Sequence, residues 1–363
     1  MATTFKTLMN NDAVATRSML HEAIPLTGTI VSGTYADNNI KNFSHGMWQA
    51  VYDYPYLSSS ANHVFDLTVG FSPSSGLSAS SPTDTANPQQ VKKINMYNEM
   101  SQILVGYDIS GSIREFDRDG DLTGGTKLQE VFFVNFARLL SKDEIKKESF
   151  SMTLMCSGGN ESKAPGGAGQ LKGKFTFQDT NALSSYKVNS PAGEYGLLYN
   201  TTTNASVGLV YYQAGIAVLT SSVFDEAATG SDGSFQFGPY NKTFPGNTFA
   251  SVKAALTGAA ISGSADGLRN RLVNVSFNNT TELNSTIYFC RANNNEFNYS
   301  ANPTYLSASK LVVKNNTTDL PVSYITTIGL YSSDNELLAT AKVSEPLKKT
   351  PNDEFTLRVR LDY

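Results

Sequence analysis

The end of the chain constrains its fold most. Over residues 354–363, Phe355, Leu357, Val359 and Leu361 alternate with Thr356, Arg358, Arg360 and Asp362. Successive side chains on a strand point to opposite faces, so this period of two predicts a strand with one buried face. The preceding residues share that character. Runs 322–331 and 336–343 are β-rich and flank a turn at 332–335, where Asp334 and Asn335 tolerate the left-handed dihedrals of a hairpin. A loop containing Pro346 is expected before the last strand. Most termini fray; this one is expected to be built into a sheet.

Run 63–71 alternates in the same way, further strands are read at 26–35, 150–155, 174–177, 195–199 and 207–212, and an apolar run follows at 215–219. Runs 112–116 and 129–136 read as a strand pair around Asp117-Arg-Asp-Gly-Asp121, and a turn is expected at 37–39. From Val273 onward, short strands alternate with Asn-rich turns. The period changes once with clarity. Val91, Ile94, Tyr97, Met100, Ile103 and Leu104 recur at three- and four-residue spacing, which predicts a helix over 89–106 with Gly106 as its C-terminal cap. Shorter helices are expected at 11–24 (capped by Asn11 or Asp12, with Val14, Met19 and Leu20 apolar, and ended by Pro25), at 249–256 and at 264–272. Ser141 followed by Glu144 reads as a capping box opening a helix through Lys147. Segments 72–88 and 227–238 read as flexible polar loops, and 158–173, rich in Gly, Lys and Pro, as a boundary. The expected fold class is mainly β with a few short helices, in antiparallel sandwich- or barrel-like sheets with long polar loops. The expected division is 1–157, 158–263 and 264–363.

Composition narrows the function classes. The net charge is −4 and charged residues make up 17%, so there is no electrostatic case for nucleic acid or an acidic membrane as partner. Asparagine alone outnumbers lysine and arginine together. A surface of Asn, Ser, Thr and Tyr carries little charge to desolvate against a partner. Met1-Ala-Thr-Thr-Phe-Lys6 does not read as a signal peptide, and no run has the length to span a bilayer. Cys156 and Cys290 lie far apart in apolar β-rich runs and read as buried, inert thiols of a reducing compartment.

No catalytic constellation, cofactor motif or metal set is expected. His21, His45 and His63 are the candidates for acid/base work near neutral pH, yet none has metal-ligand spacing, and pairing Ser44 with His45 or Ser60 with His63 rests on abundant serines. They read as structural histidines. Asp117, Asp119 and Asp121 invite a calcium reading. The helical calcium loop, however, wants glycine at position 6 and glutamate at position 12; here glycine is at position 4 and Leu128 at position 12, so a solvated hairpin turn is expected. The pairs Gly124-Gly125, Gly158-Gly159 and Gly166-Gly167 lack phosphate-loop spacing and read as turns. Trp48 with Tyr52, Tyr54 and Tyr56 could stack on a sugar or base, but reads first as a core corner.

Tyr324-Ile-Thr-Thr-Ile-Gly-Leu-Tyr-Ser-Ser-Asp-Asn-Glu-Leu-Leu-Ala-Thr-Ala-Lys342 resembles a recurring segment of tailed-phage virion proteins, especially tail, baseplate and fibre-attachment components. More widely the chain resembles a family of virion structural proteins of contractile-tailed phages of marine bacteria. The matching stretches are 22–30, 42–48, 54–62, 140–147, 189–196 and 277–284; the middle, 158–263, matches least. The resemblance implies a non-enzymatic virion subunit, assembled in the host bacterial cytoplasm as a homo-oligomer among other phage proteins. A baseplate or tail-tip component is the first expectation; a capsid decoration or neck protein, or a glycan-binding module of the tail, are alternatives. No site residues carry over from it.

Overall fold

The computed structural model describes residues 5–26, 37–78, 88–155, 174–224, 260–300 and 302–363. It is mainly β with large antiparallel sheets and few short helices, as the alternation predicts. The chain divides into two compact units. A large unit comprises Leu20–Thr281, and a terminal unit joins Met1–Met19 to Glu282–Tyr363. The chain passes between them inside β1 (Ala13–Pro25) and inside β14 (Leu272–Ala292).

The large unit is organised on β7 (Glu130–Phe136), β4 (His63–Phe71) and β13 (Ile216–Thr220). β7 lies between the other two, with Val134 opposite Leu67 on one side and Ala217 on the other. Beyond β4 come β3 (Gln49–Tyr52) and β2 (Ile40–Asn42); beyond β13 come β12 (Ser206–Tyr211), β11 (Tyr195–Asn200), β10 (Lys174–Gln178) and β9 (Ser151–Met155). β9 pairs with the start of β14, and β8 (Glu144–Ile145) pairs with Asn279 and Thr280. These central strands are apolar on both faces, and period two sends alternate residues into two cores. Phe132, Val134, Ala217 and Leu219 join one cluster, to which helix α4 (Ile261–Arg271) contributes Ile261, Ala265 and Leu268. Val131, Phe133 and Val218 join the other, with Tyr97 and Leu104 from helix α1 (Pro88–Leu104). α1 lies so close to β4 that a Cβ on Gly70 would sit 2.8 Å from the Tyr97 backbone nitrogen. Only glycine permits that approach.

The expected helix at 89–106 is α1, closed by Gly106 at φ +86°. Its buried face differs in detail, because Lys93, Met96 and Ser101 point inward while Ile103 is 63% exposed. The helix at 264–272 is α4. Four expectations fail for reasons that only long-range pairing supplies. Residues 11–24 form a 3-10 turn (Asn10–Asp12) and then β1, since β14 offers a ladder along which Thr16 meets Ser285 and His21 meets Thr280. Run 129–136 does not pair with 112–116; it is β7, and only Phe116–Asp117 (β5) forms a ladder there, with Lys127–Leu128 (β6). Ser141 ends a one-turn helix, α2 (Arg138–Ser141), instead of starting one: Lys142 at φ +55° breaks it, and Ile145 is drawn into β8. Pro346 lies inside β18 (Leu337–Lys349), where the register against β17 (Ser323–Tyr331) slips between Ile325 and Thr327, so its missing N–H costs no ladder bond. β14 is also one long strand of 21 residues in place of several short ones. A further one-turn helix, α3 (Ala182–Ser185), precedes β11. The expected strand beyond Leu26, the helix at 249–256, the loop at 227–238 and the boundary at 158–173 lie outside the described residues.

The terminal unit is built on antiparallel ladders. β19 (Phe355–Asp362) pairs with Ser285–Ala292 of β14, and β17 pairs with β18 through a turn in which Asn335 takes φ +63°. A small ladder joins β15 (Leu306–Ser307) to β16 (Lys310–Leu311). The terminal alternation is realised: Val359 is buried, Phe355, Leu357 and Leu361 are half-buried, and their polar neighbours are exposed.

Candidate functional site

Burial is distributed unequally between the two units. Every buried apolar residue of the described chain lies between Leu26 and Phe277, except Ala292 and Val359. Neither apolar cluster includes a residue of the terminal unit. Its few buried groups are mostly polar and satisfied. Lys349 donates to the Asn294 carbonyl, the Asn298 side chain and the Thr350 carbonyl, and Asp12 pairs with Arg291 at 2.8 Å. Its large apolar side chains face outward instead: Val14 and Met19 on β1, Tyr324 and Tyr331 on β17, Leu337 and Leu338 on β18. From Ala13 to Met19, β1 is exposed on both faces. Within this unit runs a groove of about 710 Å³ whose walls include Phe5, Tyr288, Cys290, Tyr324, Ile328 and Leu357. The Phe5 ring meets Tyr331 edge-on at 4.8 Å. The open, aromatic-rich face of a unit without its own core is the candidate interaction surface.

The histidines are not brought together. His21 on β1 meets the Thr280 hydroxyl at 3.1 Å, and His63 opens β4 with Nε2 2.8 Å from Asp66. His45 accepts the Met47 N–H at Nδ1, which leaves its proton on Nε2. No serine hydroxyl among the described residues bonds an imidazole, so neither suggested Ser–His pair is assembled. Cys290 is half-buried on the groove, free of a disulfide, with its thiol pushed up by burial and by Asp12. That is the reverse of nucleophile activation. Cys156 lies outside the described residues.

Trp48 and its tyrosines are not a core corner. Trp48 is 38% exposed, Tyr54 43% and Tyr56 37%. His45 stacks on Phe43 with centroids 5.2 Å apart, both rings meet Trp48 at a tilt, at 4.2 and 5.6 Å, and the Lys41 ammonium sits 4.8 Å over the Phe43 ring. This makes a surface aromatic platform on the β2–β3 edge. Sequence alone could not decide between the two, because aromatic density marks cores and contact surfaces alike.

The aspartate loop is not a simple solvated turn either. Asp117 closes β5 with a fully buried side chain, and Asp119 and Asp121 bring their carboxylates to it, one oxygen of each within 4.8 Å of the others. Burial raises the Asp117 carboxyl above its ordinary range, against the Lys127 ammonium 3.1 Å away and the hydrogen bond from the Leu122 N–H. Asp121 is held low by the Thr123 N–H. Two tyrosines anchor this loop to the large unit. The Tyr97 hydroxyl donates to the Leu128 carbonyl and accepts the Phe116 N–H, while the Tyr195 hydroxyl reaches the Gly120 carbonyl at 3.1 Å.

Two buried ionisable groups went unnoticed in the sequence. Lys93, inside α1, is lowered to about 7 by burial. Asp179 is raised to about 6 by burial while accepting from the N–H groups of Glu148 and Phe150 and the Tyr212 hydroxyl, which fits a structural tie between strands. No family model, curated protein or solved structure matches the chain. No helix among the described residues is long and apolar enough to cross a membrane.

Proposed function

We propose that this chain is a structural subunit of a tailed-phage particle, a baseplate or tail-tip component that works by assembling with copies of itself and with neighbouring virion proteins. The observation that carries the reading is the terminal unit's lack of a core of its own. Long strands that leave Tyr324, Tyr331, Leu337 and Leu338 in water gain stability when another chain covers them. A second copy presents the same uncovered strands, and closed symmetric packing covers them all at once. With a net charge of only −4, little repulsion opposes self-association. The resemblance of 324–342 to virion segments falls on β17 and β18, the strands most in need of cover, and suggests the kind of particle in which such an assembly works.

Sedimentation of the full chain across a wide concentration range tests this, with deuterium exchange on each species. The expected result is one closed homo-oligomer in which β17 and β18 exchange more slowly than in the dilute monomer. A chain that stays monomeric throughout, with those strands already protected, overturns it. Cross-linking in purified virions then separates a tail position from a capsid or neck position.

A second reading is favoured by the exposed platform of Phe43, His45 and Trp48: a glycan-binding surface on the tail. Aromatic faces suit sugar rings, and Lys41 and Asn42 adjoin them. Trp48→Ala should weaken adsorption to host cells while leaving assembly intact; unchanged adsorption removes this reading.

A further inference from the structure

We infer that the loop between β5 and β6 is a divalent-cation site, with Asp117, Asp119 and Asp121 as ligands and calcium as the ion that fits them. The three carboxylates converge, each offering an oxygen within 4.8 Å of the others. Convergence alone is common on acidic surfaces. The independent observation is inside the protein: Asp117 has a side chain with no exposure, and its Oδ1 has no hydrogen-bond partner. Its other oxygen is occupied, accepting the Leu122 N–H at 2.8 Å and facing the Lys127 ammonium as an ion pair at 3.1 Å. A buried carboxylate oxygen without a donor is costly, and this one lies beside two further carboxylates.

Charge and shape agree. Three carboxylates against the single ammonium of Lys127 leave an excess of two negative charges, because Arg118 is turned away to the Ser206 carbonyl at 2.8 Å. An excess of that size among oxygen donors suits a hard divalent ion. The loop closes over the oxygens without a side chain in the way: a Cβ on Gly125 would come within 3.3 Å of Asp119 Oδ2 and 3.7 Å of Asp117 Oδ1. The objection from sequence, that glycine is missing at position 6, is met by the backbone itself, since Leu122 there takes φ +62°. Asn189 and Tyr195 both bond the Gly120 carbonyl, so the loop is held before any ion arrives.

The test uses the full chain stripped with chelator. Calcium is titrated by calorimetry, thermal unfolding is followed with and without it, and terbium luminescence sensitised by Tyr195 reports the site directly. Expected are one ion per chain, a higher unfolding temperature with calcium, and a terbium signal that calcium displaces. Asp117 variants risk misfolding, so the comparison is Asp119→Asn with Asp121→Asn, both exposed. That variant should keep the ion-free unfolding temperature and bind at least about tenfold more weakly, since losing even outer contacts of a metal site has that effect. No heat and no thermal shift at millimolar calcium, or equal binding by the variant, overturns the site.

Discussion

Strand β7 of the large unit buries five of its seven residues, whereas β17 of the terminal unit buries one of nine. Both are apolar-rich, antiparallel and long enough to pair. The difference lies in what covers them. β7 has a strand on each side and an apolar cluster on each face, with α1 and α4 contributing to the two layers. β17 has β18 beside it and a groove within its unit. A hydrogen-bonded ladder satisfies the backbone but does not remove side chains from water, and burial is the term that offsets chain entropy. The large unit holds what it needs to be stable by itself; the terminal unit holds a surface that association can complete.

The contrast breaks most easily at the aromatic centre of the large unit. Phe136, packed on Phe65, Phe150 and Phe277, should lose about 3–5 kcal/mol of unfolding free energy on replacement by Ala, read by denaturant titration. A loss under 1 kcal/mol would mean that this core is not what holds the unit. Next in size is a pH effect. Because burial raises Asp179 from 3.8 to about 6, the folded state keeps that proton longer than the unfolded chain does. Its contribution is therefore greatest below the unfolded value and is lost as pH rises towards 6, by roughly 2–3 kcal/mol. Asp179→Asn should flatten that part of the stability curve, and an unchanged slope would place the titration elsewhere.

Gly70→Ala forces α1 away from β4 and should cost about 1–3 kcal/mol, with faster deuterium exchange in α1 alone. In the terminal unit the same kind of truncation should be mild. Leu338→Ala, on an exposed β18 position, should change monomer stability by less than about 0.5 kcal/mol, yet weaken self-association measurably. Equal effects on monomer and oligomer would erase the distinction between the units. Smallest of all is Arg17→Ala, which removes an exposed ion pair with Glu282 and should stay within about 0.5 kcal/mol.

Local periodicity determined much of this protein by itself. It carried the β class, the strands β4, β7 and β9 to β12, the apolar run of β13, the helix α1 with its Gly106 cap, and the buried alternation of β19. Each of those rests on residues a few positions apart, where sterics and side-chain direction act directly. What required the tertiary structure was settled by partners far along the chain. β1 is a strand because β14 lies beside it, Asp117 is buried where Tyr97 and Tyr195 tie its loop down, and Trp48 is exposed because no element covers the β2–β3 edge among the described residues. The joining of the first residues to the last is of the same kind. A sequence states which face of a segment is apolar; only the assembled chain decides whether anything stands opposite that face, because burial is a property of two surfaces and each segment supplies one.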